Sequence, residues 1–180
     1  MLETGAAAPA FEAKPVFGLP IRIPADLSRG PVAIAFVGPL CSPLARAALA
    51  ELQAAFPDLD RAGVRVFAVS PSSFVEASDF VPRNHLLFPL LLDEDRAIAA
   101  RFGVADDVGL TGALASLRPE LASRALRSLR LGAGLRRGAL GAAVALFLID
   151  RSGGIALARR SRGPFEGLDL AALTAAVAAL

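Results

Sequence analysis

Three short stretches constrain this chain's fold more than anything else in it. Val32–Val37, Val64–Val69 and Ala145–Ile149 are nearly unbroken apolar runs of strand length. A strand turns alternate side chains to opposite faces, so a run without polar alternation needs cover on both faces. Adjacent central strands of one sheet, with helices above and below, meet that need.

The segments between these runs carry the signals of helices and turns. Ser42-Pro43 is a helix start, Ser as N-cap and Pro at the first helical position. Leu49, Leu52, Phe56 and Leu59 follow at spacings of three and four, which gives the helix one apolar face, and Gly63 stops it. Ser70-Pro71-Ser72 opens a second helix that runs to about Arg83. Phe88–Leu92 is a short strand ending at Asp93, and Asp95 caps a short helix through Phe102, stopped by Gly103. Residues 104–118 read as loop, Pro119–Leu131 as helix, and Gly132, Gly134 and Gly138 as a flexible link. Ser152-Gly153-Gly154 turns the chain back into Ile155–Arg160. Leu168–Leu180 closes it as an Ala-rich amphipathic helix. Ahead of the first run, residues 11–23 are broken by Pro15, Gly18 and Pro20, which suits a hairpin at a sheet edge. Asp26–Pro31 reads as a turn. Strands and helices alternate and a hairpin comes late, so the class is α/β with a mixed sheet.

Length and composition narrow the function. The 180 residues amount to one domain, and 54 % apolar against 20 % charged residues excludes disorder. The single Cys excludes a disulfide framework and a Cys-based zinc site, and the single His excludes a multi-His metal site. No metal or cofactor is expected. A net charge of +2 gives no argument for nucleic acid. Of 19 basic side chains only Lys14 is lysine, a bias that a preference for Arg codons explains more simply than phosphate recognition does. The apolar run Ala139–Ile149 is too short to span a membrane, and Met1–Ala10 has no secretory pattern. With an unpaired cysteine, a reducing cytoplasm is the expected location.

Few residues offer chemistry. Cys41 precedes a helix start and has Arg46 nearby. It reads either as a nucleophile whose pKa the arginine and the helix terminus depress, or as a buried inert thiol. His85 reads as a helix-end histidine, and Asp93 and Asp150 as turn caps, with an acid–base pair as the sharper alternative. Arg118, Arg124, Arg127, Arg130, Arg136 and Arg137 crowd one stretch with only Glu120 against them. That stretch reads as a solvated face, or else as a surface for an anionic partner.

The order of elements, and four segments within it, resemble the thioredoxin fold and, inside it, the peroxiredoxin-like redoxins of the AhpC/TSA group. The segments are GAAAPAFEA…LPIRIPADLSRGPVAIAFVG, RAGVRVFAVSPSSFVEASDF, FPLLLDEDRAIAARFGV and ALFLIDRSGGIALARR. The resemblance implies a thioredoxin-like three-layer sandwich, a central mixed sheet with helices on both faces. It also implies one redoxin domain over residues 1–180, with an Arg-rich helical insertion at about 105–140. A nucleophilic cysteine belongs in the first turn of the helix after the first core strand, where the helix terminus favours a thiolate.

Here that loop reads Gly38-Pro39-Leu40-Cys41-Ser42-Pro43-Leu44-Ala45-Arg46. Aligned on Ser42-Pro43, the peroxidatic position falls on Ala45, and the family's arginine, three residues before Phe147, falls on Val144. Pro39 is one residue off the motif proline. The implied protein is a redoxin without its usual peroxidatic cysteine, non-catalytic or weakly active, in a binding or scaffold role. The alternative is a thiol-dependent peroxide or disulfide reductase using Cys41 alone and an external thiol reductant. A homodimer fits either. The loop Pro39–Ser42 is further expected to present free amides, and so to remain a weak anion site.

Overall fold

The computed structural model describes residues 1–104, 144–161 and 167–180. The Arg-rich stretch, with its expected helix and Gly-rich link, lies outside the described residues. Among the described residues there are seven strands: β1 (Phe11–Ala13), β2 (Ile21–Ile23), β3 (Val32–Phe36), β4 (Arg65–Ser70), β5 (Leu90–Leu92), β6 (Ala145–Ile149) and β7 (Ile155–Arg160). Four α-helices accompany them among these residues, α1 (Pro43–Arg61), α2 (Phe74–Arg83), α3 (Ala97–Arg101) and α4 (Leu170–Ala178), and a 3-10 helix spans Ala25–Arg29, where a turn was expected.

The main sheet runs β5-β4-β3-β6-β7. β3, β4 and β5 are parallel, and β6 is antiparallel to both β3 and β7. The three apolar runs are thus the three inner strands, β3 in the middle. In register, Ile34 lies opposite Phe67 on one side and Phe147 on the other. Every residue of β3 and β6 is buried, which is what cover on both faces requires.

The cover differs between the faces. Ala33, Ala35, Ala68, Leu146 and Leu148 form one core with Leu49 and Leu52 of α1, Ala77 and Phe80 of α2 and Leu173 of α4. Ile34, Phe36, Phe67 and Phe147 form the other with Phe11 of β1, Ile98 and Ala99 of α3, and Phe102. This is the three-layer α/β arrangement that the resemblance implied.

Four boundaries move. The 11–23 hairpin is a two-stranded sheet of its own, touching the main sheet through a bridge between Pro15 and Leu91. α2 starts at its N-cap Ser73, not at Ser70, because the hydroxyls of Ser70 and Ser72 are engaged elsewhere. The short helix α3 is capped mainly by Asp93, whose carboxylate accepts from the amides of Ile98 and Ala99 at 2.9 and 2.8 Å. Asp95 adds only a bond from the amide of Ala97. α4 begins after its N-cap Asp169, whose side chain accepts from the amide of Ala172. The end of α1 follows expectation: Gly63 has φ +73°, where a Cβ is strained. Among the described residues no helix is long and apolar enough to cross a membrane.

Candidate functional site

The site is the turn that joins β3 to α1. Beyond Phe36 the chain stays beside β4, the amide of Val37 donating to the carbonyl of Val69. It then folds over Pro39–Ser42, where the amide of Ser42 donates to the carbonyl of Pro39 at 2.8 Å. Ser42 is buried and extended, with φ −76° and ψ 128°, and its hydroxyl accepts from the amide of Leu44. Pro43 occupies the first helical position. That is the helix start read from Ser42-Pro43, because a serine cap satisfies an amide that the helix cannot.

Two buried serines at the end of β4 hold the turn from behind. Ser70 Oγ donates to the carbonyl of Gly38 at 3.1 Å, and Ser72 Oγ accepts from the amide of Leu40 at 2.8 Å. Arg46 completes the frame. Its Nε donates to the carbonyl of Leu40 at 2.7 Å, and its guanidinium lies over the ring of Phe80, 5.6 Å from the centroid. The arginine therefore does fold back toward the turn, though its Nε is spent on a backbone carbonyl. Cys41 is half-buried between Leu40 and Ser42.

The backbone takes up most, though not all, of the amides that the expected anion site would use. The amides of Leu40, Ser42, Leu44 and Arg46 all donate within the protein, and Pro43 has none to offer. A helix terminus attracts an anion through unbonded N–H groups, and most of those here are taken.

Ala45 and Val144 both lie toward this end of the sheet. Phe36 pairs with Ala145, so Val144 stands next to the end of β3, from which the turn departs. Both residues belong to the aliphatic core, Ala45 at 1 % and Val144 at 4 % exposure. The Val144 backbone is closed as well: its amide donates to Ser161 Oγ, and its carbonyl accepts from the amide of Ser161.

The remaining candidates disperse. His85 is exposed, with φ +49°, beyond the C-terminus of α2. The ten residues of α2 separate it from the serine clamp by about 15 Å. Asp93 and Asp150 cannot form a pair. The amide of Asp93 bonds to Ser70 at the site end of the sheet, while Asp150 follows Ile149, which pairs with Val32 at the other end. Asp150 Oδ1 accepts from the amides of Ser152 and Gly154 and from the Ser152 hydroxyl. The Ser152 hydroxyl, helped by these amides, holds its carboxyl below the usual carboxylate range. Asp150 caps a turn, and Asp93 caps the start of α3. No cluster of metal-ligating side chains occurs among the described residues.

Sequence reasoning missed the serine clamp. The signal was present as a small polar residue closing an apolar strand, Val69-Ser70, but Ser-Pro-Ser reads locally as another helix start.

Known proteins place this geometry. The profile of the AhpC/TSA family matches residues 4–158. No curated protein sequence matches significantly. Among solved structures, peroxidoxin BcpB from Mycobacterium tuberculosis superposes with a TM-score of 0.70 at 19 % identity, covering 100 % of this chain and 99 % of its own. Peroxiredoxin Q from Xanthomonas campestris does so at 0.66 and 20 % identity, covering 94 % and 90 %. The reduced 2-Cys peroxiredoxin of Plasmodium vivax reaches 0.72 at 15 % identity, covering 99 % and 82 %.

Proposed function

This chain belongs to the AhpC/TSA family, and from that premise we propose that it is a redoxin that has exchanged peroxide reduction for a binding or scaffold role. The observation that carries this reading is position 45. The family's chemistry needs a thiolate in the first turn of α1, attacking the peroxide O–O bond. Here the first turn of α1 holds a methyl group at 1 % exposure. The guanidinium that would stabilise charge on the peroxide oxygens is likewise replaced by the buried Val144. The frame around the missing groups, by contrast, is intact: N-cap, serine clamp and Arg46.

A second reading rests on Cys41, half-buried on the turn that Arg46 braces. Its thiolate would take one peroxide oxygen to form a sulfenic acid and release water or an alcohol. One external thiol would condense with the sulfenic acid to a mixed disulfide, losing water, and a second would return the thiolate as the external disulfide forms. Stopped-flow peroxide consumption with excess dithiol separates the two readings. The expected result is no turnover above the dithiol blank. Fast turnover abolished by Cys41→Ser would establish the second reading and overturn the first. The lone cysteine favours a reducing compartment such as the cytoplasm, and the apolar content suits a homodimer. The stretch 105–140 then fits as an insertion into a single redoxin domain.

A further inference from the structure

Seven large apolar side chains stand exposed among the described residues. Met1 and Leu180 are the first and last of the sequence. The other five, Phe17, Leu19, Phe74, Val75 and Leu87, all border one element, the edge strand β5. Pro15 bridges Leu91 in antiparallel sense and the amide of Val16 donates to the carbonyl of Leu90, so Phe17 and Leu19 follow past the start of β5. Leu87 shortly precedes the strand. Phe74 belongs to its other end, where its amide donates to Glu94 Oε1 at 3.2 Å, and Val75 is beside it.

The opposite edge of the sheet differs. β7 has no exposed large apolar side chain. Single exposed apolar residues are ordinary, but their concentration in one place marks an interface. Leu19 at 82 % and Val75 at 78 % exposure gain nothing from the fold of one chain. Five such side chains amount to roughly 500 Å² of apolar surface in water, and a standard interface takes about 800 Å² from each partner. Pro15 and Val16 already occupy the outer side of β5, so the flank offers side chains rather than an open strand edge.

We propose that this flank is an interface between two copies of the chain, packed about a two-fold axis with their β5 edges antiparallel. The charges favour a second copy in that orientation. At the Phe74 end, the carboxylates of Glu76, Glu94 and Asp95 outnumber the cations of Lys14 and Arg96. The other end offers His85 and Arg83, the latter paired with Asp79 at 2.8 Å. An antiparallel arrangement sets the acidic end of each copy against the other end of its partner and keeps the two acidic ends apart. A two-fold axis presents the same patch twice, so one apolar flank covers the other. The inference gives the homodimer a face, and it stands whether or not Cys41 reacts.

Sedimentation velocity of the full chain over a dilution series tests it. The expected result is a dimer that dissociates on dilution. Phe74→Ser and Phe17→Ser each remove a contact that the axis counts twice, so each should weaken the dimer at least about tenfold. Leu180→Ser, at an exposed apolar residue away from the flank, should leave it unchanged. A monomer at every concentration would assign the flank to a different partner and overturn the proposal. So would a dimer that Phe74→Ser and Phe17→Ser leave intact, or one that Leu180→Ser weakens as much. The dilution series needs no variant, so a folding defect in one of them would not shelter the proposal.

Discussion

On one face of the sheet Phe36, Phe102 and Phe147 interlock, with ring centroids 4.9–5.8 Å apart and planes steeply inclined. On the other, α1 and α2 meet Ala33, Ala35 and Ala68 with small residues of their own, Ala45, Ala48 and Ala77. The aromatic face buries large side chains that lack any polar atom. The aliphatic face carries the turn into α1, and Ala45 and Val144 are core residues of it. The difference teaches that the cap, the clamp and the sheet register that hold this turn depend on residues other than those at positions 45 and 144.

The sharpest way to break this comparison is to remove a ring. Phe147→Ala should cost about 3–5 kcal/mol in urea unfolding, because Phe147 is fully buried against two other rings. Leu49→Ala on the aliphatic face should fall within about 2–5 kcal/mol. A larger loss for Leu49→Ala than for Phe147→Ala would reverse the ranking of the faces.

The clamp comes next. Ser72→Ala leaves the buried amide of Leu40 without its acceptor, a loss of about 1–3 kcal/mol. Alkylation of Cys41 should accelerate in the same variant as the turn loosens. Unchanged alkylation would show that Arg46 alone holds the turn.

Asp150 is a control outside both faces. Asp150→Asn should cost about 0.5–1.5 kcal/mol. The folded carboxyl is depressed from its value of 3.8. Its contribution is therefore full above the unfolded pKa and lost as pH falls through the folded one. Acid titration of stability should be flatter below about pH 4 in the asparagine variant, and identical curves would remove Asp150 from the account.

The smallest effect is expected at position 45. Ala45→Cys places a thiol where the backbone amides are mostly bonded and burial is nearly complete. Burial opposes the charged form, so its pKa should lie at or above about 8.5. Thiolate absorbance against pH measures it. A value well below that would mean that the helix terminus still outweighs burial, and that the frame has kept its electrostatics.

The strands were legible because burial on both faces leaves a mark at every residue: β6 and β7 lie where the apolar run and the turn predicted them. The start of α1 was legible because a cap is local. Ser70 and Ser72 carry the same local sign as Ser42, yet their hydroxyls reach across to Gly38 and Leu40. That contact belongs to the pairing of β3 with β4, and no window of sequence around position 70 contains it. The hairpin was misplaced for a similar reason. Alternation predicts a strand pair, but not which sheet the pair joins.

The position of β3 also dictates the order in which the molecule can be completed. Its partner on one side, β4, follows within the next forty or so residues, but its partner on the other side is β6, so Ile34 waits for Phe147. Contacts so distant along the chain are slow to form, since loop closure must precede any gain from pairing. During synthesis β5, β4 and β3 can assemble while the apolar edge of β3 remains bare, and an unpaired apolar edge invites pairing with another chain. The N-terminal segment waits as well, because Gly5, Ala6 and Ala8 bond to Gly153 and Ile155. The stretch Gly5–Ala8 therefore acquires these bonds only once the turn between β6 and β7 has been made.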